Sequence, residues 1–350
     1  MKVFLKDLQS AVAKAASILS PRPALVEHSV ICLKTDQGRL LVAASSYSGS
    51  IEVALPCEGE LAETLVNSKL FHTLLNKVWG KTVSLAPENR QLVVSGEFGE
   101  AKLATFPIET FVKISWLEPD NPIDLPSLKD CTKQILFAVA DKTKPILSGV
   151  HFLFTDYQLR LTATDGYRLT IKTVPLKTTA RADCVIDADV AETLFSLTPG
   201  RIIIKNNLAQ FENDNTRLLT RLIDGKYPDI SHILSKTNQS FCSFKRSVLL
   251  QAVNAATVFA SDSKIKLEFG PKITITSENK EENRGKCKVE AEYLAITGEA
   301  PSFSCNPKFL VDWLNSVAED VVDMEWAAHN QPVFLKQGSN LGIIMPMLDR

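Results

Sequence analysis

Three times along the chain, apolar residues recur at the three-and-four spacing that marks one face of a helix, each time near the start of a third of the sequence. Leu8, Ala11, Val12, Ala15, Ala16 and Leu19 form the first stripe, with Lys6, Gln9, Ser10 and Lys14 off it. Leu128, Cys131, Ile135, Leu136 and Val139 form the second, with Lys129 and Lys133 polar. Val248, Leu249, Ala252, Val253 and Ala256 form the third, after Lys245 and Arg246. The first two openings share a Leu-Lys-Asp run, Leu5–Asp7 and Leu128–Asp130. A second helix is predicted near the middle of each third, over 68–78, 187–197 and 306–317, with starts about 119 residues apart. Asn67, Asp187 and Asn306 are the N-cap residues this places. Between the helices, QLVVSG, RLTIKT, RIIIKN, KITITS and PVFLKQ are β-branched, mostly alternating and bounded by turn residues, which predicts short strands.

Two stretches separate the thirds. Trp116 to Pro126 holds three prolines in eleven residues, incompatible with a helix or a central strand. Ser235 to Ser240 is short and polar. The chain therefore reads as three copies of a two-helix, multi-strand α+β unit over 1–117, 123–235 and 241–350. A matching order of elements in all three thirds favours duplication over chance resemblance between amphipathic helices.

Composition narrows the chemistry. The chain has 350 residues, 45% apolar and 23% charged, which is a globular composition of two or three domains. No apolar run approaches a membrane span, and charge interrupts MKVFLKDLQSAV too early for an export signal, so the cytoplasm is the expected compartment. The seven cysteines (Cys32, Cys57, Cys131, Cys184, Cys242, Cys287 and Cys305) are odd in number and form no C-x-x-C pair, so buried thiols are expected. The histidines His28, His72, His151, His232 and His329 lack metal-ligand spacing, and neither G-x-S-x-G nor H-E-x-x-H occurs. Gly80-Lys81-Thr82 imitates the end of a phosphate loop, but Leu75 stands where a glycine is required and a helix precedes it. Gly80 is expected instead to cap that helix. Asp165 is expected to be a turn residue bonding its own backbone rather than a catalytic acid. No enzyme activity, metal or cofactor is expected. With a net charge of −1, any contact with nucleic acid must come from locally placed Lys and Arg.

Ala163-Thr-Asp-Gly-Tyr-Arg-Leu169 resembles the ATDGHRL signature of the bacterial DNA polymerase III β subunit, the DNA sliding clamp family. Leu222-Ile-Asp-Gly-Lys-Tyr-Pro-Asp229 looks like that family's L-V-D-G-R-F-P-D, Ile343-Ile-Met-Pro-Met347 like its V-V-M-P-M ending, and Arg22-Pro23 also fits. The resemblance spans essentially the whole chain. It implies the processivity-clamp fold: three similar domains, each with two helices and two small antiparallel sheets, and a head-to-tail dimer ring. Two features depart from the pattern. Tyr167 replaces the signature histidine, and the tail continues as Leu348-Asp349-Arg350.

The resemblance implies a non-catalytic protein that encircles double-stranded DNA without sequence preference. Its partners would be the DNA polymerase catalytic subunit, a clamp loader, other proteins carrying clamp-binding motifs and a second copy of itself. It implies a peptide groove of Leu147, Thr164, Gly166, Tyr167, Arg168, Leu169, Pro228, His232, Ile233, Ile343, Met345, Pro346 and Met347. DNA contacts would be Arg22, Lys142 and Lys144, with Lys14, Lys69 and Lys133 as weaker candidates; except for Arg22, each is at least as well read as a solvated surface charge. A dimer contact would set Leu103 and Phe106 against Val258 and Phe259, although these residues could instead finish their own domain cores. The alternative function is a clamp-like adaptor or decoy that binds clamp-interaction peptides without enclosing DNA.

Overall fold

The computed structural model describes residues 1–350 except 20–24, 178, 236–237, 239, 261–262, 279–284, 299–301, 329–330 and 348–350. One order of elements runs through it three times, strand, helix, three strands, then strand, helix, three strands, with one extra strand, Ala295–Thr297, in the last third. In the first third the order is Lys2–Phe4, helix Leu5–Ser17, Val30–Asp36, Arg39–Ser45, Gly49–Pro56, Thr64–Asn67, helix Ser68–Leu75, Thr82–Glu88, Gln91–Gly96 and Gly99–Phe106. The second runs from Ile123–Leu125 to Thr216–Arg221 around helices Cys131–Ile135 and Ala188–Leu197. The third runs from Ser240–Lys245 to Asn340–Ile344 around helices Arg246–Thr257 and Pro307–Ser316.

The stripes read from the sequence are the buried faces. Leu8, Ala11, Val12 and Ala15 are buried in the first helix, and Leu249, Ala252, Val253 and Ala256 in the third opening helix. Asn67 and Asn306 accept the backbone N–H of Leu70 and Lys308, so both cap the helices that follow them. Asp187 carries an ion pair to Lys142 at 2.7 Å.

Two expectations are corrected. The opening helix of the second third is only Cys131–Ile135, followed by a 3₁₀ turn, Leu136–Ala138. The carbonyl of Gln134 accepts the Thr170 hydroxyl at 3.0 Å and that of Phe137 accepts the Arg168 guanidinium. Tertiary donors thus take carbonyls that a longer helix would use itself. Gly80 is not a helix cap: the helix ends at Leu75 with Asn76 as its cap, and Gly80, at φ +124°, lies in the turn before the strand Thr82–Glu88.

The chain packs as two compact units. One is Met1–Lys129 with Asp189–Leu222; the other is Asp130–Ala188 with Ile223–Arg350. The central third gives half of itself to each because its outer strands are zipped into neighbouring sheets. In the first unit Thr216–Arg221 pairs with Gly49–Pro56 inside a 12-stranded sheet. In the second unit Arg168–Pro175 pairs with Asn340–Ile344 inside a nine-stranded sheet, beside a separate four-stranded one. The proline-rich connector adds only the three-residue edge strand Ile123–Leu125, the one place in a sheet such a segment can sit. Both backbone groups of Leu117 are held by the buried amide of Gln210, at 2.7 and 3.3 Å.

Candidate functional site: an apolar seam between strands

The strand Arg168–Pro175 begins at a tight turn. Asp165 Oδ1 accepts the N–H groups of Tyr167 and Arg168 at 2.9 and 3.0 Å, Thr164 Oγ1 accepts that of Gly166 at 3.1 Å, and Gly166 adopts φ +97°. The aspartate is therefore consumed by its own backbone, as its sequence context predicts. The turn lifts Tyr167 into solvent, 64% exposed. Lys144 donates to the carbonyl of Asp165 at 3.0 Å and lies 5.5 Å from the centre of the Tyr167 ring.

From Arg168 onward the strand alternates. Leu169 and Ile171 face one side, where Ile343 lies directly across from Leu169. With Ile230 and Phe334 these residues form a buried apolar cluster, flanked by half-buried Ile233, Leu234 and Leu341. The chain end runs on beside the turn. Met345 donates its N–H to Tyr167 O at 2.9 Å, Met347 donates to Ser304 O at 2.7 Å, and the two methionines are 40% and 36% exposed. An apolar floor bordered by exposed Tyr167 and adaptable methionines suits an apolar peptide side chain.

The structure thus brings Leu169, Ile233 and Ile343 together, with Tyr167, Met345, Pro346 and Met347 alongside the same strand pair. Leu147 is half-buried at the end of the 3₁₀ turn Pro145–Leu147. Pro228 and His232 are exposed, on the segment that carries Ile230. The Arg168 side chain points the other way. It is buried and bound to Asp165 at 3.0 Å, Asp312 at 2.6 Å and the Phe137 carbonyl. Ile171, Ile230, Phe334 and Leu341 belong to the cluster although no motif names them. Alternation from Leu169 to Ile171 and within PVFLKQ was the available signal.

The first unit repeats this strand pairing with mostly polar residues. The pairing Gly49↔Thr220 in the first unit occupies the place of Arg168↔Ile344 in the second. Carrying the registers along, Ser50 and Glu52 stand where Leu169 and Ile171 do, Arg217 and Leu219 where Leu341 and Ile343 do, and Gln210 where Phe334 does. Four of the five first-unit residues are polar. Gln210 is spent on the connector at Leu117, and the Arg217 guanidinium sits 5.9 Å from the Trp116 ring. One backbone arrangement occurs twice and is apolar once.

The candidate DNA residues scatter. Arg22 and the tail Leu348-Asp349-Arg350 lie outside the described residues. Lys142 is paired with Asp187, and Lys144 is held at the Tyr167 turn. Lys69 and Lys133 are exposed on their helices, and Lys14 is half-buried. Of the candidate contact residues, Leu103 is half-buried opposite Leu92. Phe106 packs against the buried cluster of Cys32, Ala43 and Leu65. Val258 is 74% exposed just past helix Arg246–Thr257, with half-buried Phe259 next to it. All seven cysteines are free, five buried and two half-buried. The described residues contain no group of His, Cys, Asp and Glu able to hold a metal.

Comparison with known proteins agrees with this architecture. The family model for the DNA polymerase III beta subunit central domain matches residues 123–229, and that for its C-terminal domain matches 231–348. The Beta sliding clamp of Staphylococcus aureus is 24% identical over 351 residues, covering 91% of this chain and 90% of that protein. The one from Staphylococcus epidermidis is 25% identical over 340. Among solved structures, the DNA polymerase sliding clamp of Bacillus subtilis superposes with a TM-score of 0.90 at 21% identity, over 100% of this chain and 99% of that one. The DNA polymerase III beta subunit of Thermotoga maritima gives 0.93 at 18%, with the same coverage. A Pseudomonas aeruginosa sliding clamp bound to griselimycin gives 0.89 at 17%, again with that coverage. A threefold repeat of strand and helix order, a signature turn that opens an apolar seam, and family models over both the central and C-terminal thirds place the chain in the DNA polymerase III beta subunit family.

Proposed function

We propose that this chain is a DNA sliding clamp: two copies close head to tail into a ring around duplex DNA, and the apolar seam tethers a polymerase and other partners. One observation carries the ring. Twice within the chain, the last strand of a first half-repeat pairs with the last strand of a second half-repeat: Gly49–Pro56 with Thr216–Arg221, and Arg168–Pro175 with Asn340–Ile344. The third such pair is left open. Among the described residues, Lys286–Ala291 ends its four-stranded sheet, and Gly99–Phe106 is bonded on its outer side only at Thr105 and Phe106. Unpaired edges are templates for another chain. Each edge matches the other's role, so a second copy supplies what the first lacks, and the contact closes when both copies satisfy it. Leu103 and Phe106 on one edge, and Val258 and Phe259 near the other, would then be covered.

Enclosure reconciles DNA work with a net charge of −1. Reading bases would pin the protein to one site, whereas backbone contact is indifferent to sequence and permits sliding. A closed ring holds by topology, so a few lysines on helix faces suffice. The protein would act without catalysis and without a cofactor. No described helix is long and apolar enough to cross a membrane, in keeping with work beside the polymerase in the cytoplasm.

The test is retention. The protein is loaded by a clamp loader onto nicked circular DNA and the DNA is then cut. Retention on the circle and release on linearisation are expected. Equal release from both forms would sink the enclosure reading and favour a peptide-binding adaptor.

A further inference from the structure

We infer that Asp312, on a helix of the C-terminal third, is a positioning residue for the peptide groove: through Arg168 it holds the Asp165 turn that presents Tyr167. This rests on the groove reading above, and it moves Arg168 from the groove wall to the groove's support.

The chain of contacts is short. Asp312 Oδ2 accepts Arg168 Nη1 at 2.6 Å. Arg168 Nε donates to Asp165 Oδ2 at 3.0 Å, while Asp165 Oδ1 holds the N–H groups of Tyr167 and Arg168. The remaining arm of the guanidinium reaches the Phe137 carbonyl, and the group lies 4.7 and 5.4 Å from the ring centres of Phe309 and Phe137. One planar cation is thus gripped by three separate segments: the turn, the 3₁₀ turn after the short helix, and the helix Pro307–Ser316. Its fork geometry and its stacking between rings are properties lysine lacks. The Arg168 side chain is 9% exposed and the two carboxylates 18% and 20%, so little water reaches the guanidinium to replace a lost partner. Removing one member of a buried charge network leaves the rest unpaired and mobile. Leu169 leaves the same strand on the opposite face, so the clasp fixes the groove edge without touching its occupant.

Lys308 also binds Asp312, at 2.8 Å, but its side chain is 67% exposed. It serves as the control. A surface charge acting on a ligand at long range would make Lys308→Ala and Asp312→Asn shift affinity in opposite directions. A clasp would make only the aspartate matter.

The experiment uses the full-length protein and two readouts: griselimycin affinity, and hydrogen exchange of the Gly166, Tyr167 and Arg168 amides. Asp312→Asn is expected to weaken griselimycin binding about tenfold and to speed exchange of the three amides, with a lowered thermal midpoint. Asp312→Glu restores most of the affinity, and Lys308→Ala stays within about twofold of wild type. Unchanged exchange in Asp312→Asn overturns the inference, as does an opposite-signed effect of Lys308→Ala. If the wild-type protein fails to bind griselimycin, the groove reading falls, while the exchange readout still decides the clasp.

Discussion

His151 is a residue whose chemistry is changed by its surroundings. It is buried in the strand Gly149–Thr155, stacked 4.5 Å from the Tyr227 ring, with Nε2 2.8 Å from Asp183. Burial lowers its proton affinity, and the nearby Arg160 charge acts in the same direction. The Asp183 bond opposes both, but burial is the larger effect. In the unfolded chain the imidazole takes its proton near its ordinary value of about 6.5. Because the folded value is lower, the unfolded state binds protons first as pH falls. The stability that neutral His151 contributes is present above about 6.5 and is lost as pH falls from there through the lower folded value. Denaturant melts between pH 8 and 5.5 should show this decline in the wild-type protein and a flatter profile in His151→Gln. Equal slopes would mean that another group controls acid sensitivity. The sequence showed His151 only as a histidine without metal-ligand spacing. Its ring partner lies 76 residues away at Tyr227, and no local pattern announces a contact of that range.

Elements were more legible than their ends. Period-3.6 stripes located the helices and period-2 runs the strands, because burial on one face imposes those spacings wherever the element sits. The short helix Cys131–Ile135 was overextended because its limits are set by Thr170 and Arg168, donors on a distant strand. The apolar seam was half legible. The family motifs name Leu169, Ile343 and the methionines, while Ile171, Ile230 and Phe334 join the apolar cluster only once strand register brings them together. The two seams make that register testable. On the proposed groove reading, giving Leu169 the serine of the polar seam, Leu169→Ser, should weaken griselimycin binding at least tenfold, or about 1.4 kcal/mol. The backbone pairing should survive, since Ser50 already occupies the matching position of such a strand. Retained affinity would place the site elsewhere.

At the scale of the whole molecule, exposed Val258 and the open strand edges are the features an isolated chain leaves unexplained. Val258→Asp should cost the isolated chain little, since the side chain is 74% exposed. On the proposed head-to-tail contact, together with Leu103→Asp it should raise the dimer dissociation constant about tenfold or more, measured by sedimentation. A wild-type protein that sediments as a monomer at micromolar concentration would remove the basis for the ring. The threefold repeat itself was visible in sequence because duplication preserves spacing. The pairing of its outer strands across repeats was not, because an edge strand reads the same whether its neighbour belongs to its own repeat or the next.

The two open edges are unlike each other, so any assembly they build has a direction, as a belt has a buckle and a tongue. Nothing in the edge chemistry itself counts copies; the turn made at each junction does. Small changes in the angle at the internal seams would therefore alter stoichiometry before they altered stability, and a variant bent slightly wrong would be expected to grow as an open helical filament and leave the duplex unclasped.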